Sequence, residues 1–170
     1  MKKILSIVTI LALSFFLSCG GKEEKKEEKD SMKIGTQKTE KAEDSNTVNV
    51  ALSGNDLMQY DKAEIKVKAG QEVTLTLRHI GKLDKKVMGH NFVLLKQGVN
   101  MAEFGAKASE AGEATDWIPE EGKDVIVHTK MLAGGETTSI TFTAPAAGTY
   151  DYICSFPGHV AMMKGKFIVE

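Results

Sequence analysis

The stretch that decides the fold is residues 152–165, with the sequence YICSFPGHVAMMKG. Within it, Cys154, His159 and Met163 follow one another with the spacing C-x4-H-x3-M, between two apolar segments of strand-like composition. A thiolate, an imidazole and a thioether are ligands that soft metal ions prefer. The pattern therefore predicts a metal site on a loop that joins two strands.

Each of these residue types suits copper. Cysteine is deprotonated when it binds the metal, a neutral imidazole is a common ligand, and a thioether tolerates a long, weak bond. Two histidines, one cysteine and a distant methionine form the ligand set of blue-copper electron-transfer sites. The second histidine is best supplied by His90 in residues 87–92, VMGHNF, where Gly89 would let the backbone approach a metal closely.

At these residues the sequence resembles the azurins, small blue copper proteins of the cupredoxin group, over residues 47–170. The Cys-to-His spacing is the specific feature, because plastocyanin and amicyanin have shorter loops. The resemblance implies a single type 1 copper. Its equatorial ligands would be His90, Cys154 and His159. Met163 would be the axial ligand, and the Gly89 carbonyl oxygen a weak axial contact on the opposite side. Met162 does not fit the spacing and is interpreted as packing.

The same resemblance implies roles for residues around the ligands. Asn91 matches an azurin asparagine that ties the two ligand segments together, and the backbone N–H of Phe156 matches a donor to the cysteine sulfur. His79 matches a histidine near the copper but not bound to it, although a satisfied core or loop histidine is the plainer interpretation. His128 is expected to face solvent. An apolar docking face around His159 is expected, or else a buried cluster, formed by Met88, Phe104, Phe156 and Val160.

Short segments that alternate apolar and polar residues, with turn signals between them, predict half-buried strands. The predicted strands are residues 48–52, 63–67, 72–77, 90–95, 124–129, 137–143, 149–153 and 166–169. Residues 101–114, rich in Ala, Glu and Lys, form the one helical candidate. Together with the resemblance, this pattern predicts an all-β fold, a Greek-key β-sandwich of the cupredoxin type with one short helical flap.

Residues 1–46 are predicted to precede the folded domain. A basic start and an apolar run shorter than the ~20 residues of a spanning helix indicate a signal peptide over residues 1–18. Small residues surround Cys19 as in a bacterial lipobox, which predicts lipidation there and a stable membrane anchor. The Lys- and Glu-rich residues 19–46 are predicted to be a disordered, charged tether, because they lack apolar residues at helical or strand spacing.

Composition limits the possible functions. The chain has 170 residues and 42% hydrophobic content, which suits one domain with appendages. A net charge of -1 gives no reason to expect nucleic acid as a partner. With only two cysteines in the chain, one a predicted ligand and one a predicted lipidation site, the disulfide found near the start of azurins is not expected here.

The predicted function is single-electron transfer between redox proteins of the bacterial cell envelope, without an enzymatic reaction or a small-molecule substrate. The resemblance suggests c-type cytochromes, nitrite reductase or cytochrome c peroxidase as partners. Two alternatives stay open at this point. One is a copper-binding or delivery protein, which would use similar soft ligands but exchange its metal readily. The other is a cupredoxin-fold enzyme or sensor with an open coordination position, which Met163 disfavours.

Overall fold

The computed structural model describes residues 46–170 of the chain. The predicted signal peptide, the lipidation site at Cys19 and nearly all of the charged tether lie outside the described residues. Within residues 46–170, no helix is both long enough and apolar enough to cross a membrane.

Nine strands in residues 46–170 form two sheets. Their bounds are β1 Thr47–Asn55, β2 Gln59–Tyr60, β3 Glu64–Val67, β4 Glu72–His79, β5 Val93–Leu95, β6 Val125–His128, β7 Thr137–Thr143, β8 Gly148–Ile153 and β9 Lys164–Val169. The strand order is β2-β1-β4-β7 in one sheet and β3-β9-β8-β5-β6 in the other. The chain passes repeatedly from one sheet to the other, and the predicted β-sandwich is confirmed.

The core lies between the two sheets. Strand β4 shows how the alternation predicted from the sequence works, since Val73, Leu75 and Leu77 are fully buried while Glu72 and Arg78 face solvent. Burying each such side chain stabilises the fold by about 1.5–3 kcal/mol. The opposite sheet contributes large buried residues to the same cluster, among them Leu94, Tyr152 and Phe167. This packing makes the sandwich a rigid support for the side chains at the ends of its strands.

The predicted helix is present but shorter than expected. Helix α2 spans Met101–Ala111. Asn100 caps its start, because the Asn100 side chain accepts hydrogen bonds from the backbone N–H groups of two residues in the first turn. It ends before Gly112, which has a φ of 77°. That conformation favours glycine and stops the helix three residues before the predicted end.

A short α-helix that leads into the first ligand segment was not predicted from the sequence. Helix α1 spans Lys85–Met88, directly before Gly89, and Asp84 caps it by accepting the N–H of Lys86. Four residues are too few to show a helical period, which explains why the sequence pattern did not reveal it. Its importance is its place, because it leads the chain into the predicted ligand segment.

The strand predicted to begin at His90 begins instead at Val93. His90 forms an isolated bridge with Leu132, in which each residue's N–H donates to the other's carbonyl at 3.1 and 2.8 Å. Residues 90–92 therefore leave the regular ladder before the sheet resumes. This departure frees the side chains of His90 and Asn91 to turn towards the loop after β8.

Candidate metal centre

Three side chains with metal-binding atoms converge at one end of the sandwich. His90, Cys154 and His159 place one ligand atom each so that all three atoms lie within 4.8 Å of one another. All three residues are buried. Among residues 46–170 this is the one such group of three or more His, Cys, Asp and Glu residues. The loop sequence and the distant His90 are thus brought together, as the spacing predicts.

The distances between these atoms suit one metal ion in a trigonal plane. The Cys154 sulfur lies 3.5 Å from Nδ1 of His159 and 4.0 Å from Nδ1 of His90. A metal with bonds of about 2.3 Å to sulfur and about 2.0 Å to nitrogen, 120° apart, separates those donors by roughly 3.7 Å. The two observed distances lie on either side of that value, so the residues fit a small metal ion without rearrangement.

A backbone carbonyl fixes the orientation of the His90 ring. Nε2 of His90 lies 2.8 Å from the carbonyl oxygen of Asn55, at the end of β1. Since a carbonyl can only accept, the proton is assigned to Nε2, which leaves a lone pair on Nδ1. The Nδ1 atom lies 2.8 Å from the Gly89 carbonyl oxygen, another acceptor. Two acceptors at this distance repel each other unless a cation or a proton lies between them, as expected of a metal site.

A tight turn presents His159. The N–H of His159 donates to the carbonyl of Phe156 at 3.0 Å, and Gly158 has a φ of 82°. Pro at the second position and a glycine with positive φ at the third define a type II turn, which explains the Pro157-Gly158 pair. The His159 ring packs on Phe156 at 4.6 Å between ring centroids. Burial, with the charges of His90 and His79, lowers the pKa of His159 to about 4, so the imidazole is neutral and able to bind a metal at neutral pH.

Cys154 is a fully buried thiol. Burial raises its pKa to about 12, while the backbone N–H groups of Asn91 and Phe156 act in the opposite direction. These two donors are what a thiolate needs, but alone they do not ionise the thiol at neutral pH. A bound metal ion would replace the proton, because a coordinating thiol is deprotonated outright.

The two neighbouring methionines have opposite environments. Met163 is fully buried, whereas Met162 is 57% exposed. A Cβ atom on Gly54 would lie 2.6 Å from the Cε atom of Met163 and 2.9 Å from the His90 ring, so the Met163 side chain lies beside that ring. The backbone of Met163 also closes the loop, since its carbonyl accepts the N–H of Cys154 at 2.9 Å. Of the two methionines, Met163 is therefore the one whose side chain lies beside a predicted ligand.

Gly89 allows its own carbonyl to approach the site. A Cβ atom there would lie 2.7 Å from the Lys85 carbonyl and 2.9 Å from both Met131 and Phe156, so a side chain has no space. The Gly89 oxygen lies 3.6 Å from the Cys154 sulfur. A close backbone approach of this kind is a physical reason for a glycine before the first ligand.

Asn91 joins the two ligand segments. Its Oδ1 accepts the N–H of Ser155 at 2.9 Å, and its Nδ2 donates to the Ser155 hydroxyl at 2.8 Å. Nδ2 also lies 3.3 Å from the carbonyl of Asp116. Because Asn91 follows His90 and Ser155 follows Cys154, these bonds hold the two ligands at a fixed separation.

The remaining histidines do not contribute ligand atoms to this group. His79 is buried and stacks on His90, with ring centroids 4.0 Å apart. Its Nδ1 accepts the N–H of Gly81 at 3.1 Å, and its Nε2 therefore donates to the carbonyl of Met88 at 2.6 Å. Both ring nitrogens are thus satisfied. His128 is exposed, as expected from its strand alternation.

Of the two environments expected for the residues around His159, a docking face or a buried cluster, Phe104 and Phe156 have the second. Phe104 is 3% exposed and Phe156 is 9% exposed, and both belong to the buried cluster beneath the site. Met88 and Val160 are half-buried. Phe104 is buried because it lies on the inner face of α2, and Phe156 because it packs between the tilted rings of Trp117 and His159. Phe104 and Phe156 therefore contribute little to the surface at this end.

Sequence reasoning missed several residues that shape the site. Gly54 and Asn55 end β1 against Met163 and His90, and the sequence alone offers no more than a turn signal there. The carbonyl of Asp116, which Asn91 contacts, belongs to a residue with a φ of 51°. Such backbone contacts between distant segments leave no pattern in the sequence.

This chain has two buried histidines and one cysteine, with a methionine beside them, at the end of a two-sheet Greek-key sandwich. That combination defines the cupredoxins, the class of blue copper electron-transfer proteins. Residues 46–170 match the profile of the family described as "Copper binding proteins, plastocyanin/azurin family". The chain belongs to this family, and its cofactor is copper.

Individual relatives agree with this assignment. Azurin-1 of Alcaligenes xylosoxydans xylosoxydans is 48% identical over 120 residues, which cover 68% of this chain and 92% of the relative. Auracyanin-A of Chloroflexus aurantiacus is 39% identical over 125 residues, covering 73% and 74% of the two chains. The solved structure of auracyanin A, a "blue" copper protein from that bacterium, has a TM-score of 0.67 at 35% identity and covers 73% of this chain and 99% of its own. The predicted resemblance to azurin and the predicted copper cofactor are confirmed.

Proposed function

We propose that this protein carries single electrons between redox proteins of the cell envelope through one type 1 copper site, and that it catalyses no reaction of its own. His90, Cys154 and His159 would hold the metal, and the Met163 side chain and the Gly89 carbonyl oxygen would lie beside it. The observation that carries the proposal is the convergence of the three buried donors at 3.5 and 4.0 Å around the cysteine sulfur.

Copper bound there supplies a one-electron couple between Cu(II) and Cu(I). The protein's contribution is to hold the donors still and to exclude water. Asn91 fixes the distance between the segments of His90 and Cys154, and the Asn55 carbonyl fixes the His90 ring. The backbone N–H groups of Asn91 and Phe156, which lower the pKa of the Cys154 thiol, would tune how strongly its thiolate donates to a bound metal. Because packing restrains every donor, little rearrangement accompanies a change of charge.

The surface around the site suits brief contact with a protein partner. Among the described residues, the exposed large hydrophobic side chains are Leu57, Ile80, Leu83, Val87 and Met162. Each lies near the ligand group. Val87 and Met162 are within two residues of Gly89 and Met163. The N–H groups of Leu57, Ile80 and Leu83 donate to the segment 54–56 beside His90. We call these five residues the apolar rim.

An apolar rim around a buried metal site is expected of a carrier whose partners dock and leave quickly, since weak electron-transfer complexes use small interfaces. The resemblance to azurin suggests c-type cytochromes, nitrite reductase or cytochrome c peroxidase as those partners. The lipobox-like sequence around Cys19 supports a lipid anchor in the bacterial envelope, on the periplasmic side or at the cell surface.

The full burial of the ligand group favours electron transfer over copper delivery. A delivery protein must give up its metal to a partner that attacks the site. Here Cys154 and His90 are fully buried, and His159 is nearly so. An electron can pass through a covering layer of this kind, whereas a metal ion cannot.

The first test is spectroscopic. The full chain is loaded with Cu(II), and its visible absorption and electron paramagnetic resonance spectra are recorded beside those of Cys154→Ser. We expect an intense blue thiolate-to-copper band and a narrow copper hyperfine splitting, both lost in the variant. A pale protein with an ordinary splitting would overturn the proposal and make copper handling the leading account.

The adjacent methionines provide a matched pair for the axial position. Met163→Leu replaces the buried thioether by an alkyl side chain, and Met162→Leu makes the same replacement at the exposed position. We expect the first variant to change the reduction potential and the spectrum while the second leaves both unchanged. Equal behaviour of the two variants would show that Met163 is not an axial ligand.

A further inference from the structure

Tyr60 is a hydroxyl-bearing residue directly beside the ligand segments. It lies on the two-residue strand β2, and its hydroxyl donates a hydrogen bond to the backbone carbonyl of Asn91. Its ring contacts both core clusters, the one between the sheets and the one beneath the metal site. Burial raises the pKa of Tyr60 well above its ordinary value, so the phenol keeps its proton and acts as a donor.

Asn91, the acceptor of this bond, lies at the centre of the ligand scaffold. It follows His90 in sequence, its side chain bonds the backbone and the hydroxyl of Ser155, and its own backbone N–H is one of the two that lower the pKa of the Cys154 thiol against the effect of burial. Asn91 is fully buried. A shift of its backbone would move a sulfur donor and a ligand together.

Strand β2 holds the opposite side of the site as well. Tyr60 pairs with Gly54 and Gln59 pairs with Asn55 in the register of β1 and β2. Gly54 lies against Met163 and the His90 ring, and the Asn55 carbonyl accepts from Nε2 of His90. Tyr60 therefore connects two segments that support His90. Its backbone pairs with the end of β1, and its hydroxyl bonds to the carbonyl of Asn91.

We propose that Tyr60 is a positioning residue of the copper site, whose hydroxyl holds the Asn91 backbone so that the Asn91 N–H stays directed at the Cys154 sulfur. This inference rests on the proposed copper function. The two-residue strand β2 would then hold in place the Asn91 N–H, a group that would tune the bond between the thiolate and the metal.

The expected effect has a definite sign. A hydrogen bond to the thiolate sulfur weakens the donation of that sulfur to Cu(II) and so favours the reduced state. If Asn91 loses its support, its N–H bond to the sulfur weakens, the thiolate donates more strongly and the oxidised state gains. The reduction potential then falls, and the thiolate-to-copper absorption band moves to longer wavelength.

The test replaces Tyr60 by Phe in the copper-loaded full chain, which removes the hydroxyl and keeps the ring. Tyr152→Phe is the matched control. The Tyr152 ring lies 5.5 Å from the Tyr60 ring, and its hydroxyl donates at 2.5 Å to the carbonyl of Lys62, which is not part of the ligand scaffold. Both variants therefore lose one tyrosine hydroxyl bonded to a backbone carbonyl in the same aromatic group.

We expect Tyr60→Phe to lower the potential and shift the band, and Tyr152→Phe to do neither. As a second measurement, hydrogen exchange of the Asn91 amide in the metal-free proteins should be faster in Tyr60→Phe alone. Equal effects of the two variants, or an unchanged or raised potential in Tyr60→Phe, would overturn the inference. A wild-type protein without a blue band would instead refute the proposed function, so the two failures are distinct.

Discussion

The side chain of Asn91 offers the sharpest test of how the ligand segments are held together. Asn91→Ala removes three hydrogen bonds at once, to the Ser155 N–H at 2.9 Å, to the Ser155 hydroxyl at 2.8 Å and to the Asp116 carbonyl at 3.3 Å. All three lie in the region where the segments of His90 and Cys154 meet. The substitution therefore tests a connection between distant parts of the chain and leaves the metal ligands in place.

The cost follows from the burial of these groups. The Ser155 N–H, left without its acceptor, costs about 1–3 kcal/mol, and each of the two bonds from Nδ2 contributes about 1 kcal/mol. The expected loss in the free energy of unfolding is roughly 3–5 kcal/mol. For a folded region of this size, that loss corresponds to a fall in Tm of about 10–15 °C.

The measurement is thermal and urea unfolding of the metal-free full chain, because bound copper would add its own stabilisation. Asn49→Ala is the matched control, since Asn49 is exposed on β1 and its replacement should change stability by no more than about 0.5 kcal/mol. If Asn91→Ala and Asn49→Ala unfold alike, the hydrogen bonds of Asn91 do not hold the segments together. Copper-loaded Asn91→Ala should also show a displaced thiolate-to-copper band.

Three further predictions follow from the same site. Gly54→Ala should displace the Met163 thioether, which a Cβ atom would approach to 2.6 Å, and change the electron paramagnetic resonance spectrum while the protein stays folded. The pKa of His159 is about 4 in the folded protein and 6.5 in the unfolded chain. As the pH falls, the unfolded chain therefore takes up the proton at a higher pH than the folded protein does. Metal-free protein should therefore lose roughly 3 kcal/mol of stability as the pH falls from about 6.5 to about 4, measured by urea unfolding. Dilute peroxide should oxidise the exposed Met162 before the buried Met163, as peptide mass spectrometry would show.

Much of the fold could be predicted because its strands obey a simple rule. Strand β4 alternates buried and exposed residues along nearly its whole length, and β7 alternates half-buried with exposed ones, so period-two patterning was enough to find both. The loop after β8 could be recognised from three residue types at fixed spacing. His90 was found because its neighbours Gly89 and Asn91 belong to a recognisable segment.

The rest depends on contacts that leave no local pattern. The Asn55 carbonyl that orients His90 is a backbone group, and any residue at that position would supply one. For Phe104 and Phe156 the sequence left a docking face and a buried cluster both open, and only the packing of α2 and the contact with Trp117 decides between them. The exposed Val87 lies on a helix too short to be detected.

The acid–base chemistry of the site explains why the fold can hold its donors together before a metal arrives. In the metal-free protein the Cys154 thiol, with its pKa raised to about 12, keeps a proton that it can direct at the Gly89 oxygen 3.6 Å away. Without that proton, the sulfur, the Gly89 oxygen and Nδ1 of His90 would face one another with lone pairs alone. A copper ion bound beside these groups would replace the proton on the thiol. The same burial that makes the thiol a weak acid therefore links metal binding to the stability of the sandwich, because the charge of the thiolate is favourable there only in the presence of the ion.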